Sequence, residues 1–232
     1  MKYVILTLFV LAFGYAEAQS YYQFQKVTTS DRDPHDVFGS STSIDGNWAI
    51  IGAERDEHDE NDTNAIIDAG SAYIYKYDGS SWSQHTKLSP SARGGAAFFG
   101  RRVDISGKYA IVGAHGEHND KGGTFVAGAG AAFIFEYDSM SDTWTEIEHL
   151  SQPVRKSSDY FGHSVAIHGD YAVVGAYFED EDELEMTPLL SAGSASSVNF
   201  RSTGFKGTLA TFPSLSNNVS LTVFSPIGSP SM

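Results

Sequence analysis

Hydrophobic and polar positions along this chain follow a pattern that returns every 61 or 62 residues. Its clearest copy starts at Phe99-Gly100. There Phe99, Val103 and Ile105 alternate with Gly100, Arg102 and Asp104. A period of two predicts a strand with one buried face. Ser106-Gly107 follows, a pair suited to a tight hairpin turn with positive φ. Tyr109-Ala110-Ile111-Val112-Gly113-Ala114 is apolar at successive positions, which predicts a strand buried on both faces. Ala132-Phe133-Ile134-Phe135 predicts a third strand of the same kind. Trp144-Thr145-Glu146-Ile147-Glu148-His149-Leu150 alternates with charged residues, as an outer edge strand does.

The other copies carry the same landmarks. Phe38-Gly39 leads through Ile44, Gly46 and Trp48 to Gly52-Ala53, and Phe161-Gly162 leads through Ile167, Gly169 and Tyr171 to Gly175-Ala176. Ala69-Gly70-Ser71-Ala72-Tyr73-Ile74-Tyr75 stands over Ala129-Gly130-Ala131-Ala132-Phe133-Ile134-Phe135. Trp82 and Leu88 stand over Trp144 and Leu150, and Tyr21 and Val27 lie 61 residues before Trp82 and Leu88. Residues 21–28 therefore read as the fourth segment of a period, either completing a terminal blade or capping an open array. Four antiparallel strands per period, dry inside and wet outside, predict an all-β, β-propeller-like array of about three four-stranded blades, an incomplete propeller. A β-sandwich gives no reason for a 61-residue repeat, and solenoid repeats are much shorter. The repeats fall near 38–97, 99–159 and 161–212, the last degenerate, within a blade region of 19–198.

Phe-Gly at the head of the first strand and Gly-Ala at the end of the second resemble the FG-GAP repeats of integrin α-chain propellers. The bacterial type is the nearer resemblance, with Ile-x-Gly-x-x-Ala-x-Val-Gly-Ala followed by Ala-Gly-x-Ala-aromatic-Ile-aromatic. It covers residues 21 to about 195. The resemblance implies a propeller and, for many relatives, extracellular adhesion or ligand binding; it implies no reaction. Two departures stand out. Integrin-type repeats often carry an Asp-x-Asp-x-Asp-Gly calcium loop. Here the turns hold only Asp45-Gly46-Asn47, Ser106-Gly107-Lys108 and His168-Gly169-Asp170, too few for the roughly six to eight oxygens calcium takes. Closed propellers also need at least about four blades, and three are visible.

Composition adds an address. Lys2, an apolar run from Val4 to Phe13 and Ala16-Glu17-Ala18 read as a secretory signal peptide over residues 1–18, cleaved after Ala18. A secreted or cell-surface location follows as an expectation, with no transmembrane segment. The net charge of -14 argues against nucleic acid as a partner, and the absence of cysteine excludes a disulfide framework. From Thr187 onward there is no Asp or Glu but there are eleven serines. Residues 199–232 read as a divergent Ser-rich tail: a natural terminus, or the truncated or frame-altered end of a longer parent.

Chemistry is sparse. There is no Gly-x-Ser-x-Gly elbow, no His-Glu-x-x-His and no phosphate loop, so no enzyme activity is expected. One constellation recurs. Three and six residues after each Gly-Ala alanine stand Asp56 and Asp59, Glu117 and Asp120, Glu179 and Asp182. Oxygens crowded in a loop suit calcium as a metal ligand set and the one candidate cofactor; a solvated acidic rim is the competing reading. His115 and His118, beside Glu117 and Asp120, pose the same choice for a transition metal. The leading expectation is a non-catalytic FG-GAP module for adhesion or binding of an extracellular protein or carbohydrate. An accessory module of a larger secreted hydrolase-type enzyme, a calcium-binding repeat protein and a propeller enzyme using Arg101, Arg102, His163 and Asp104 are the alternatives. Three blades leave two end faces, expected to expose Ile50 and Tyr73 at one end and Val173 and Val174 at the other, and so to promote self-association.

Overall fold

The computed structural model describes residues 24–59, 61, 65–179, 193–199 and 210–212. The described secondary structure is all strand. β1 (Phe38–Asp45), β2 (Trp48–Ala53), β3 (Ser71–Tyr77) and β4 (Trp82–Leu88) form the first antiparallel sheet, in chain order. β5 (Arg102–Ser106), β6 (Tyr109–Ala114), β7 (Ala131–Asp138) and β8 (Thr143–Leu150) form the second. β9 (Phe161–His168), β10 (Tyr171–Ala176), β11 (Ser194–Asn199) and the short β12 (Ala210–Phe212) form the third. These are three blades of an incomplete propeller, as the repeat pattern predicts. Pairing recurs in register: Ile50 faces Ile74 in the first blade, and Ile111 faces Ile134 in the second.

Glycines set how blades meet. A Cβ on Gly52 would lie 1.8 Å from the Gly100 carbonyl oxygen, and one on Gly113 would lie 2.1 Å from that of Gly162. The glycine of one repeat's Gly-Ala thus touches the glycine of the next repeat's Phe-Gly. Phe99 and Phe161 are wholly buried at these junctions. Their N–H groups donate to the Ala69 and Ala129 carbonyls of the preceding blade, each at 2.9 Å. Apolar side chains fill the rest. Ile50, Ile74 and Leu88 meet Val103, Val112 and Phe133 between blades 1 and 2, and Ile111, Ile134 and Leu150 meet Ile167 and Val174 between blades 2 and 3. Asp104 ties all three inner strands. Its carboxylate accepts from Ser43 Oγ on β1 at 2.7 Å and from the Ile167 N–H on β9 at 2.8 Å.

The two ends differ from expectation. Ile50 and Val174 point into the junctions and are buried. Tyr73 is buried as well, because residues 24–31 lie across that face of blade 1. Val27 packs there with Ile51, Tyr73 and Tyr75. These residues form no strand, yet they occupy the place that the fourth-segment reading assigns them. The Ser30 N–H donates to Gln84 Oε1 at 3.0 Å, just as the Ser91 N–H donates to Glu146 Oε2 at 2.7 Å one repeat later. Blade 3 does expose its far face. On β10 Tyr171 is 42% and Val173 37% exposed, as expected for Val173, because among the described residues no fourth blade covers them. β11 forms despite Ser196 and Ser197 replacing the aromatic and isoleucine of the earlier copies. The leader 1–18, Tyr21 and almost all of the Ser-rich tail lie outside the described residues.

Candidate functional site: a ring-lined cavity between blades 2 and 3

The recurrent acids serve the loops that carry them. Asp56 accepts the His58 N–H and Asp59 the Asn61 N–H. Glu117 accepts the His118 and Asn119 N–H groups at 2.9 and 2.8 Å. Asp120 accepts those of Gly122 and Thr124, each at 2.8 Å. These amide bonds hold the Asp120 carboxyl below its usual range. Asp56 also joins a buried cluster. Lys87 Nζ sits 2.7 Å from it and 2.6 Å from Asp31, and the Tyr73 hydroxyl donates to both carboxylates. Burial pulls the Asp31 carboxyl upward, but the Lys87 ammonium and the Tyr73 hydroxyl outweigh it and keep the carboxyl below normal. The backbone carbonyl of Glu179 accepts the Gly193 N–H; Asp182 lies outside the described residues. Among the described residues no three His, Asp or Glu side chains converge as a metal site.

Of the axial candidates, Asp104 is the inter-blade tie described above. Arg101 pairs with Glu54 at 2.8 Å across the first junction, and Arg102 donates to the Arg101 carbonyl. His163 belongs to a different setting. The positions that hold Glu54 and Arg101 at the first junction hold His115 and His163 at the second, with ring centroids 5.8 Å apart. Around them lies a closed circuit of rings. Phe98 stacks on His115 at 5.2 Å, and His163 stacks on Tyr177 at 4.9 Å. Tyr177 touches Phe178, Phe178 touches Tyr160, and Tyr160 returns to His115. These six rings line a cavity of about 420 Å³, within the usual size of small-ligand sites.

Local backbone geometry places the rings. Ala96, Phe98, Ser158 and Tyr160 all have positive φ, as do His35 and Val37 in the first repeat. This alternation turns successive N–H groups of the pre-Phe-Gly segment onto the preceding blade. The Ser158 and Tyr160 N–H groups donate to the Ala127 and Gly128 carbonyls at 2.9 and 3.1 Å. The cost of holding bulky residues there is of order 1–3 kcal/mol each. Burial, and then the nearby Arg101 and His163, push His115 down to about 4. His163 is lowered in the same way by burial and the arginines. Both imidazoles are neutral at pH 7, and buried His115 Nδ1 has no hydrogen-bond partner among the described residues. The cavity therefore offers flat apolar faces with a few hydrogen-bonding nitrogens and hydroxyls, and among the described residues its lining holds no carboxylate. Sequence reasoning singled out His163 as an axial candidate and His115 with His118 as a metal pair, but not the cavity that all three line. The missed signal was the aromatic residue just before Phe-Gly, Phe98 or Tyr160, together with the ring just after Gly-Ala, His115 or Tyr177.

Comparison with known families agrees with this architecture. The family described as FG-GAP repeat matches residues 21–75, 82–135 and 144–195. Each match begins at the outer-strand aromatic, the phase in which residues 24–31 pack on blade 1. No curated protein matches the chain. Among solved structures it is similar to the crystal structure of Saccharomyces cerevisiae Sqt1, with TM-score 0.42 and 8% identity, covering 78% of this chain and 36% of that one.

Proposed function

This chain belongs to the FG-GAP repeat family, and from that premise we propose that it is a non-catalytic, secreted or cell-surface binding module. Its ligand is a carbohydrate, held in the cavity between blades 2 and 3. The observation that carries this reading is the closed circuit of His115, His163, Tyr177, Phe178 and Tyr160, with Phe98 stacked on His115. A pyranose has an apolar C–H face that stacks on aromatic rings and a rim of hydroxyls that meets imidazole and phenol groups. Such a pairing of apolar walls with few polar groups is the usual build of a small-ligand site. The leader pattern of residues 1–18 supports an exterior location.

The test is a panel of immobilised mono- and oligosaccharides probed with the purified mature protein, followed by calorimetry on any binder. Tyr177→Ala and Phe178→Ala remove partly exposed rings without opening the core. Each should weaken sugar binding about tenfold, or roughly 1.4 kcal/mol, with no product appearing by mass spectrometry. A protein that binds no sugar at millimolar concentration, or binds one with unchanged affinity in Tyr177→Ala, would refute the site. Cleavage of the bound sugar would refute the non-catalytic reading.

A further inference from the structure

The two junctions inside the chain define what a third would look like, and each half of that third junction is present, unmatched, at an opposite end. Gly52 meets Gly100 and Gly113 meets Gly162, which leaves Gly175 and Gly39. A Cβ on Gly175 meets no backbone within 3.5 Å, and one on Gly39 meets nothing at all. Ile105 and Ile167 are buried at their junctions, whereas Ile44, their counterpart on β1, is 64% exposed. Tyr109 and Ile111 of blade 2 are covered by blade 3, whereas Tyr171 and Val173 are open.

The outer strands point the same way. β4 pairs with β3 over six positions and β8 with β7 over seven; among the described residues β12 pairs with β11 over three. Meanwhile residues 24–30 sit on blade 1 as the end of an outer strand should, shown by the matching Ser30–Gln84 and Ser91–Glu146 bonds. Among the described residues no inner strand pairs with them, since β1 to β3 span residues 38–77 and belong to blade 1.

We propose that residues 24–30 of a second copy of this chain form the outer strand of blade 3 and displace β12, joining two three-bladed arcs into one ring. The register follows from the repeat. Ala72 pairs with Leu88 and Ala132 with Leu150. Ala195 and Val27 occupy the corresponding positions, so Ala195 pairs with Val27 of the second copy, where Phe212 of its own chain sits otherwise. Gly175 of one copy then meets Gly39 of the other, and Val173 meets the Ile44 face. Two copies make six blades and three would make nine; closed propellers typically hold about four to eight, which selects the dimer.

Light scattering on the mature protein at about 100 μM should give twice the mass of one chain. The sequence has no cysteine, so Val27→Cys with Ala195→Cys tests the register directly. Facing positions in an antiparallel pair lie about 4.5–5.5 Å apart at Cα, within disulfide reach. Mild oxidation should yield a dimer linked between chains. Val173→Glu and Ile44→Glu alter residues exposed in a single copy, so each should keep its circular dichroism and weaken association at least tenfold. A wild-type protein that is monomeric at this concentration overturns the proposal. So does a dimer in which Ala195→Cys links efficiently to Phe212→Cys within its own chain but not to Val27→Cys across chains.

Discussion

At the scale of single residues, the glycines carry the architecture. Recurrence in the sequence marks them, but it cannot say whether a glycine is kept for a turn or for a contact. Gly107 and Gly46 are turn glycines, with positive φ and open space where a side chain would go. Gly113 is a contact glycine, with ordinary φ and the Gly162 carbonyl 2.1 Å from where a Cβ would stand. Gly113→Ala should therefore cost about 3 kcal/mol or more, in the range of severe overpacking. Gly175→Ala, whose Cβ meets the rotatable Ser164 hydroxyl and no neighbouring blade, should cost a single copy much less. Urea unfolding of both variants checks this, and equal losses would mean that the junction can open without penalty. The recurrent acids show the converse limit. An oxygen placed to accept loop amides and an oxygen placed for calcium look alike in sequence, since both call for a carboxylate at a fixed offset from Gly-Ala. Only the coordinates show that Asp120 spends an oxygen on Gly122 and Thr124.

At the scale of elements, alternation and turn residues were enough to place β1 to β10, because each strand answers to its own burial pattern. Residues 24–31 were legible as a displaced outer segment, but what fastens them was not. Asp31, Lys87, Tyr73 and Asp56 are distant in sequence and meet only through the blade. Lys87→Met removes the cation between half-buried Asp31 and buried Asp56 and leaves the Asp56 carboxylate buried without it, so it should destabilise by roughly 3–5 kcal/mol and loosen residues 24–31. Losses under about 1 kcal/mol in chemical unfolding, the scale of an exposed ion pair, would show that the segment is held by Val27 and its neighbours alone. A second consequence concerns pH. Burial pushes His149, stacked 4.4 Å from Phe133, down to about 4, as it does His115. An unfolded histidine titrates near 6.5, so between about 6.5 and 4 the unfolded chain binds more protons. Stability is full above that window and falls as pH drops through it. His163 acts in the same sense. Asp31 adds its loss only at more acidic pH, below its unfolded value, while Asp36, raised by burial, works in the opposite direction. His149→Phe keeps the stack and removes the titration. It should raise the melting temperature at pH 5 more than at pH 7.5, and equal gains at both would count against this account.

At the scale of the whole molecule, the blades form a short one-dimensional array in which each is stabilised by the neighbours it touches. Blade 2 has a junction on both faces, and Ile111, Val112, Phe133 and Ile134 at its centre are wholly buried. Blade 1 has one junction and, on its other face, residues 24–31. Blade 3 has one junction and an open face bearing Tyr171 and Val173. Local opening is cheapest where the fewest apolar contacts are lost. Native-state hydrogen exchange on dilute protein should therefore protect β6 and β7 most, β2 and β3 next, and β10 and β11 least. The ring-lined cavity spans the blade 2–blade 3 junction, so its walls sit between the most and the least protected blades. A bound sugar should accordingly slow exchange in β10 more than in β6, because only the open blade has stability left to gain from the contact. Protection that is uniform across the three blades, with or without ligand, would mean that the junctions couple them into one cooperative unit and that the open face of blade 3 costs the fold nothing.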